Sequence, residues 1–176
     1  MKERPYILIC NDDGVFAPGI QTLISIMEEL GDVIIVAPDS PQSGMGHAIT
    51  IDSTIRVNSI FHADFKEIYS CTGTPVDCIK MAMNKFAKKI PNLIVSGINH
   101  GSNSSINVIY SGTMSAAMEG CIEGVPSIGF SLCNHSYDAD FEPCKPYVKQ
   151  IAKMVLEKGL PKGTCLNVNI PSVSAE

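Results

Sequence analysis

Short apolar runs separated by polar segments rich in glycine and proline recur along the 176-residue chain. YILIC, residues 6–10, is a continuous apolar stretch of strand length, the kind covered on both faces. After NDDGVFAP, the residues Ile20, Leu23, Ile24, Met27 and Leu30 fall at helical spacing, with Pro18 at the entry and Gly31 at the exit. DVIIVAP then predicts a second buried strand. Strand, helix and strand within a few tens of residues form a βαβ unit, whose crossover should be right-handed.

The pattern continues in the same manner. APDSPQSGMGH is a long polar loop, AITIDSTIRVNSI alternates like an edge strand or hairpin arm, and KEIYSC reads as another strand. TGTPVDCIKMAMNKF starts a helix, with Thr74 as cap and Pro75 in the first turn. PNLIVSG is a further buried strand, followed by the loop INHGSNSSINVIYS and a small-residue helix, GTMSAAMEGCI, suited to close packing on a sheet. SIGFSL predicts a strand, CKPYVKQIAKMVLEKG an amphipathic helix closed by Gly159, and CLNVNIP a last strand. The fold class is therefore α/β: a three-layer α/β/α sandwich around a Rossmann-like mixed, mostly parallel sheet, with an antiparallel excursion between Ala48 and Cys71. Residues 1–176 read as a single domain, and the chain stops abruptly at PSVSAE after its last strand.

Composition narrows the function classes. Apolar residues make up 45% and charged residues 18%, a globular balance. A net charge of -5, from 13 basic and 18 acidic residues, with only the short basic run KFAKK at Lys85–Lys89, argues against a face for duplex nucleic acid. Nothing reaches the length of a membrane span. Seven cysteines without a C-x-x-C pair, set inside apolar segments, suggest reduced thiols and a cytoplasmic location.

In such a sheet, ligands gather beyond the carboxyl ends of the strands. Four loops emerge there, carrying Asn11, Asp12, Asp13 and Gly14; then Ser40, Gln42, Ser43 and His47; then Asn99, His100, Ser102 and Asn103; and finally Tyr110, Ser111, Gly112 and Thr113. Asp12 and Asp13 repel each other more strongly as water is removed, so the pair either lies in an open Asp-Gly turn or is held by a cation. Converging carboxylate, hydroxyl and amide oxygens favour the cation, and suit Mg or Mn rather than Zn or Cu. The start of SGTMSAAMEG is either an ordinary helix cap or, opposite that metal, a phosphate cradle with Gly112 allowing close approach. His47 and His100 are candidate acids for a leaving alcohol, although a lone loop histidine is more often structural or exposed; His62 and His135 have no supporting neighbours. G-x-G-x-x-G, G-x-x-x-x-G-K-[ST] and G-x-S-x-G are all absent.

NDDG, APDSPQSGMGHAIT, GTPVDC, SGINHGSN and YSGTMSAAMEG, in that order from Tyr6 to Pro171, closely resemble the SurE family of stationary-phase survival proteins, which are nucleoside monophosphate phosphatases. The resemblance implies one divalent cation per subunit, Mg2+ or Mn2+, held by Asp12, Asp13, Ser43 and Asn99. It places Asn103, Ser111, Gly112 and Thr113 on the phosphate, and Asp12 and Asp13 in catalysis. It further implies hydrolysis of nucleoside 5'-monophosphates, with 3'-monophosphates and short polyphosphate as further substrates, and a homodimer or homotetramer. Members commonly have Leu-Gly after GAN where this chain reads GSNSSINV, and commonly run well past Pro171, so an extension is expected to be lacking here. Attack by a water is favoured over Asp12 as nucleophile, since a carboxylate that grips a metal is a poor nucleophile. The rival class is a Mg-binding receiver-like signalling or ligand-binding module, which needs a phosphoacceptor aspartate where this chain has Ser96, Gly97 and Asn99.

Overall fold

The computed structural model describes residues 3–60 and 67–173. Seven strands form one sheet: β1 (Tyr6–Cys10), β2 (Asp32–Pro38), β3 (Val57–Ile60), β4 (Glu67–Cys71), β5 (Leu93–His100), β6 (Ser127–Cys133) and β7 (Leu166–Pro171). Their order is β3-β4-β2-β1-β5-β6-β7, and every neighbouring pair is parallel except β3 with β4. The mixed, mostly parallel sheet is thus as the pattern predicts.

Helices cover both faces. On one side α1 (Pro18–Leu30) and α5 (Lys145–Lys158) bury Ile20, Leu23, Met27, Val148 and Ala152 with Ile7, Ile9 and Phe130 of the sheet. On the other, α2 (Pro75–Met81), continued by a π turn over Ala82–Phe86, packs with α4 (Gly112–Ile122) over Leu8, Ile34 and Ile94. The short α3 (Asn107–Tyr110) lies in what the sequence suggests is loop.

Close helix–sheet packing fixes α1. A Cβ on Gly19 would stand 2.0 Å from the Ile98 carbonyl oxygen of β5. Alanine in an open helical position would gain roughly 0.5–1 kcal/mol over glycine. Gly19→Ala is instead expected to cost about 1–3 kcal/mol by overpacking. Chemical denaturation checks this, and a variant as stable as the parent would show that the contact yields freely.

Two expectations fail in part. AITIDST does not join the sheet: only Val57–Ile60 of that stretch is strand. The Thr50 N–H, which a ladder would need, donates instead to the Asp77 carboxylate at 3.2 Å, and Thr50 Oγ1 donates to Asp77 Oδ2 at 2.6 Å. The same carboxylate accepts the Thr74 N–H at 2.9 Å, and Thr74 Oγ1 donates to the Ala48 carbonyl at 2.8 Å, so a helix cap doubles as a staple for the long loop. Secondly, β5 continues through Asn99 and His100 after a register shift between Ser96 and Asn99. Lys66 of KEIYSC and His62 lie outside the described residues. Four cysteines are buried, and all seven are unpaired. Among the described residues no helix is long and apolar enough to cross a membrane.

Candidate active site

The strand order reverses at β1, with β2 on one side and β5 on the other, and this is where an open α/β sheet leaves a crevice. Asp12 and Asp13 leave β1 at that point, and Asn99 sits near the end of β5. The β2–β3 loop is drawn in by the Gln42 N–H, which donates to the Asp12 carbonyl at 2.8 Å. That bond puts Ser43 beside the aspartates.

Asp12 is only 5% exposed and rests on the first turn of α4. Thr113 Oγ1 donates to Asp12 Oδ1 at 2.5 Å, while Ser111 caps the helix by accepting the Met114 N–H at 3.0 Å. A Cβ on Gly112 would lie 2.5 Å from Asp12 Cβ and 2.9 Å from its Oδ2, so only glycine lets carboxylate and helix meet. Burial, then the neighbouring Asp13, push the Asp12 carboxyl up to about 6 against the downward pull of Thr113. Burial also raises Asp13, with His100 opposing. Among the described residues no Lys or Arg pairs with either carboxylate.

Asp12, Asp13, Ser43, Asn99, Asn103 and Ser111 line one cavity of about 550 Å³. Asn99 Nδ2 donates to the Gly101 carbonyl at 2.9 Å, which leaves its Oδ1 as a free acceptor. Two carboxylates, an amide oxygen and a hydroxyl make an all-oxygen donor set, and a hard divalent cation would remove the repulsion that raises both aspartates. Among the described residues no three His, Cys, Asp or Glu side chains gather as a metal cluster, so a cation here relies on the neutral oxygens of Ser43 and Asn99.

The remaining expected residues divide by position. Asn103 and Ser111 face the cavity, whereas Gly112 and the fully buried Thr113 stand behind Asp12. His47 is turned away, with Nδ1 3.3 Å from the Ile109 carbonyl and Nε2 2.9 Å from Met118 Sδ. His100 is on the wall; its Nδ1 lies 3.0 Å from the Ser136 carbonyl, so that nitrogen carries a proton and Nε2 is the free one. His135, for which sequence offers no neighbours, also lines the cavity and packs against Gly101, where a Cβ would come within 2.1 Å of its ring. Tyr110 and Tyr137 add aromatic faces to the rim. Asn167 and Asn169 of β7, which sequence reasoning passes over, hydrogen-bond Asn103; their signal is the polar-apolar-polar run NVN on a strand otherwise apolar.

The family described as Survival protein SurE matches residues 7–176. The 5'-nucleotidase SurE of Flavobacterium psychrophilum is 61% identical over 175 residues, covering 98% of this chain and 68% of the relative. That of Christiangramia forsetii is 60% identical over 174 residues, covering 98% and 67%. The crystal structure of SurE from Aquifex aeolicus superposes with a TM-score of 0.88 at 41% identity, over 96% of this chain and 67% of that one. By sequence and by fold, across nearly its whole length, the chain belongs to the SurE family.

Proposed function

We propose that this chain is a 5'-nucleotidase, a divalent-metal-dependent phosphomonoesterase that splits nucleoside 5'-monophosphates into nucleoside and phosphate. The observation that carries the reading is one cavity lined by Asp12, Asp13, Ser43, Asn99, Asn103 and Ser111 in a chain 61% identical to a relative named 5'-nucleotidase SurE. Asp12, Asp13, Ser43 and Asn99 would hold one Mg2+ or Mn2+. That ion, when bound, supplies Lewis acidity at a phosphoryl oxygen and offsets charge developing in transfer.

The chain's own groups do the rest. Asn103 and the Ser111 hydroxyl hold phosphoryl oxygens, while Gly112 and Thr113 keep the Asp12 carboxylate in place. A water attacks phosphorus and gives its proton to the aspartate pair; the bond to the 5' oxygen breaks, and the leaving alcohol takes the Nε2 proton of His100 in its imidazolium form, whose Nδ1–H stays on the Ser136 carbonyl, leaving a neutral imidazole beside His135 on the cavity wall. Tyr110 and Tyr137 offer faces on which a base stacks without strong base selection. By the same chemistry 3'-monophosphates and short polyphosphate are further substrates. The protein works as a homodimer or homotetramer in the cytoplasm.

Phosphate release from AMP and GMP tests the reading. Release is expected with Mn2+ or Mg2+ and lost on chelation. Undiminished hydrolysis after complete metal removal would rule out the metal-dependent route.

A further inference from the structure

Both backbone polar groups of Asn103 are held by side chains of β7. The Asn103 N–H donates to Asn169 Oδ1 at 2.8 Å, and its carbonyl accepts from Asn167 Nδ2 at 2.9 Å. Asn169 Nδ2 donates to Asn167 Oδ1 at 2.9 Å, which ties the two asparagines together. Ser102 Oγ also donates to Asn169 Oδ1, at 3.1 Å. The Asn103 side chain is held from β6, with its Nδ2 2.9 Å from Ser131 Oγ. Asn103 is 6% exposed, so these bonds have little competition from water.

Strand register explains how one loop residue meets three strand residues. Asn99 pairs with Ser131 across β5 and β6, and Ser131 pairs with Asn169 across β6 and β7. Asn167 lies two residues before Asn169 and therefore projects from the same face. A polar row thus runs across the sheet from Asn99 to the asparagines that grip Asn103. Asn103 Nδ2 donates one hydrogen to Ser131 Oγ and, since an amide NH2 carries two, keeps a second to donate to an anion. What fixes the position of that amide is the backbone, and the backbone is held by β7.

We infer that Asn167 and Asn169 are positioning residues for phosphate recognition, holding Asn103 in register with Asn99 so that its side chain meets the phosphoryl group. The inference rests on the nucleotidase reading for the identity of the substrate. A purely structural pair of asparagines would need only to satisfy each other or water. Here they meet both the donor and the acceptor of a single cavity residue.

Three variants test it, each assayed for AMP hydrolysis, inhibition by inorganic phosphate, Mn2+ binding and unfolding midpoint. Asn169→Leu removes two acceptor contacts and is expected to lower kcat/KM about 10- to 100-fold, to weaken phosphate inhibition in parallel, and to leave Mn2+ affinity within about twofold. Asn169→Asp keeps the acceptor for the Asn103 N–H but loses the Nδ2 donor to Asn167 Oδ1, so it is expected to recover only part of the loss, whereas Asn167→Asp, which loses its donor to the Asn103 carbonyl, stays as impaired as the leucine variant. Parental turnover and phosphate inhibition in folded Asn169→Leu, or a loss confined to the unfolding midpoint, would overturn the inference. Wild-type protein that binds Mn2+ but releases no phosphate would instead refute the nucleotidase reading. Phosphate affinity measured by calorimetry on the same variants would then still decide whether Asn169 positions Asn103.

Discussion

Asp12→Asn is expected to lower phosphate release by about 10³-fold or more. In the same variant the metal-free protein should lose a specific pH dependence of stability. The two effects share one cause, an anionic carboxylate placed where water cannot solvate it and where, among the described residues, no Lys or Arg pairs with it. The folded pKa of about 6 stands above the ordinary value of 3.8. Between those two values the folded state binds more protons than the unfolded state, so stability falls as pH rises through the window and levels off above it. The shift corresponds to about 3 kcal/mol, as the difference in stability between wild type and Asp12→Asn from pH 4 to pH 7. Urea denaturation in chelator across that range checks it, and a difference that does not change with pH would show Asp12 to be solvated. Mn2+ at pH 7 should stabilise wild type and leave the variant unmoved.

Gly112→Ala should cost about 100-fold in kcat/KM although it adds one methyl group outside the cavity lining. The new Cβ would occupy space 2.5 Å from Asp12 Cβ and 2.9 Å from Oδ2. Neither partner retreats easily. Thr113 Oγ1 holds the carboxylate at 2.5 Å, and the Ser111 cap on Met114 holds the helix start. The displacement therefore falls on the group proposed to grip the cation, and Mn2+ affinity should drop together with turnover. Helix propensity runs the other way, favouring alanine by about 0.5–1 kcal/mol, so a global unfolding explanation is separable by the melting curve. Turnover within about threefold of the parent would mean that Asp12 tolerates the shift.

Much of the architecture is legible in the chain because burial on both faces produces unbroken apolar strands such as YILIC and DVIIVAP, and a one-sided helix produces the spacing of Ile20, Leu23, Ile24 and Met27. The region 48–56 misleads because alternation reports only which side chains are apolar, whereas the Thr50 N–H is captured by Asp77, 27 residues away. At the site, residue types show which oxygens are available but not which of them face the cavity. Thr113 is expected on the phosphate, and the sequence gives no sign that its hydroxyl donates to Asp12. His135 is unremarkable in sequence until Gly101 brings the β5–α3 loop against its ring. Asn167 and Asn169 show in sequence only as a polar-apolar-polar run on the last strand, which does not say that their partner is Asn103, more than sixty residues away.

The side-by-side register of β6 and β7 also bears on which length changes the gene for this protein can tolerate. Adding or deleting one residue between Leu166 and Asn169 would turn Val168 to the face now held by the asparagines, leaving both backbone groups of Asn103 without their partners. The stretch from Gly159 to Thr164, which joins α5 to that strand across the surface, carries no such constraint. Indels among natural homologues should accordingly cluster in that connection and stop short of the strand.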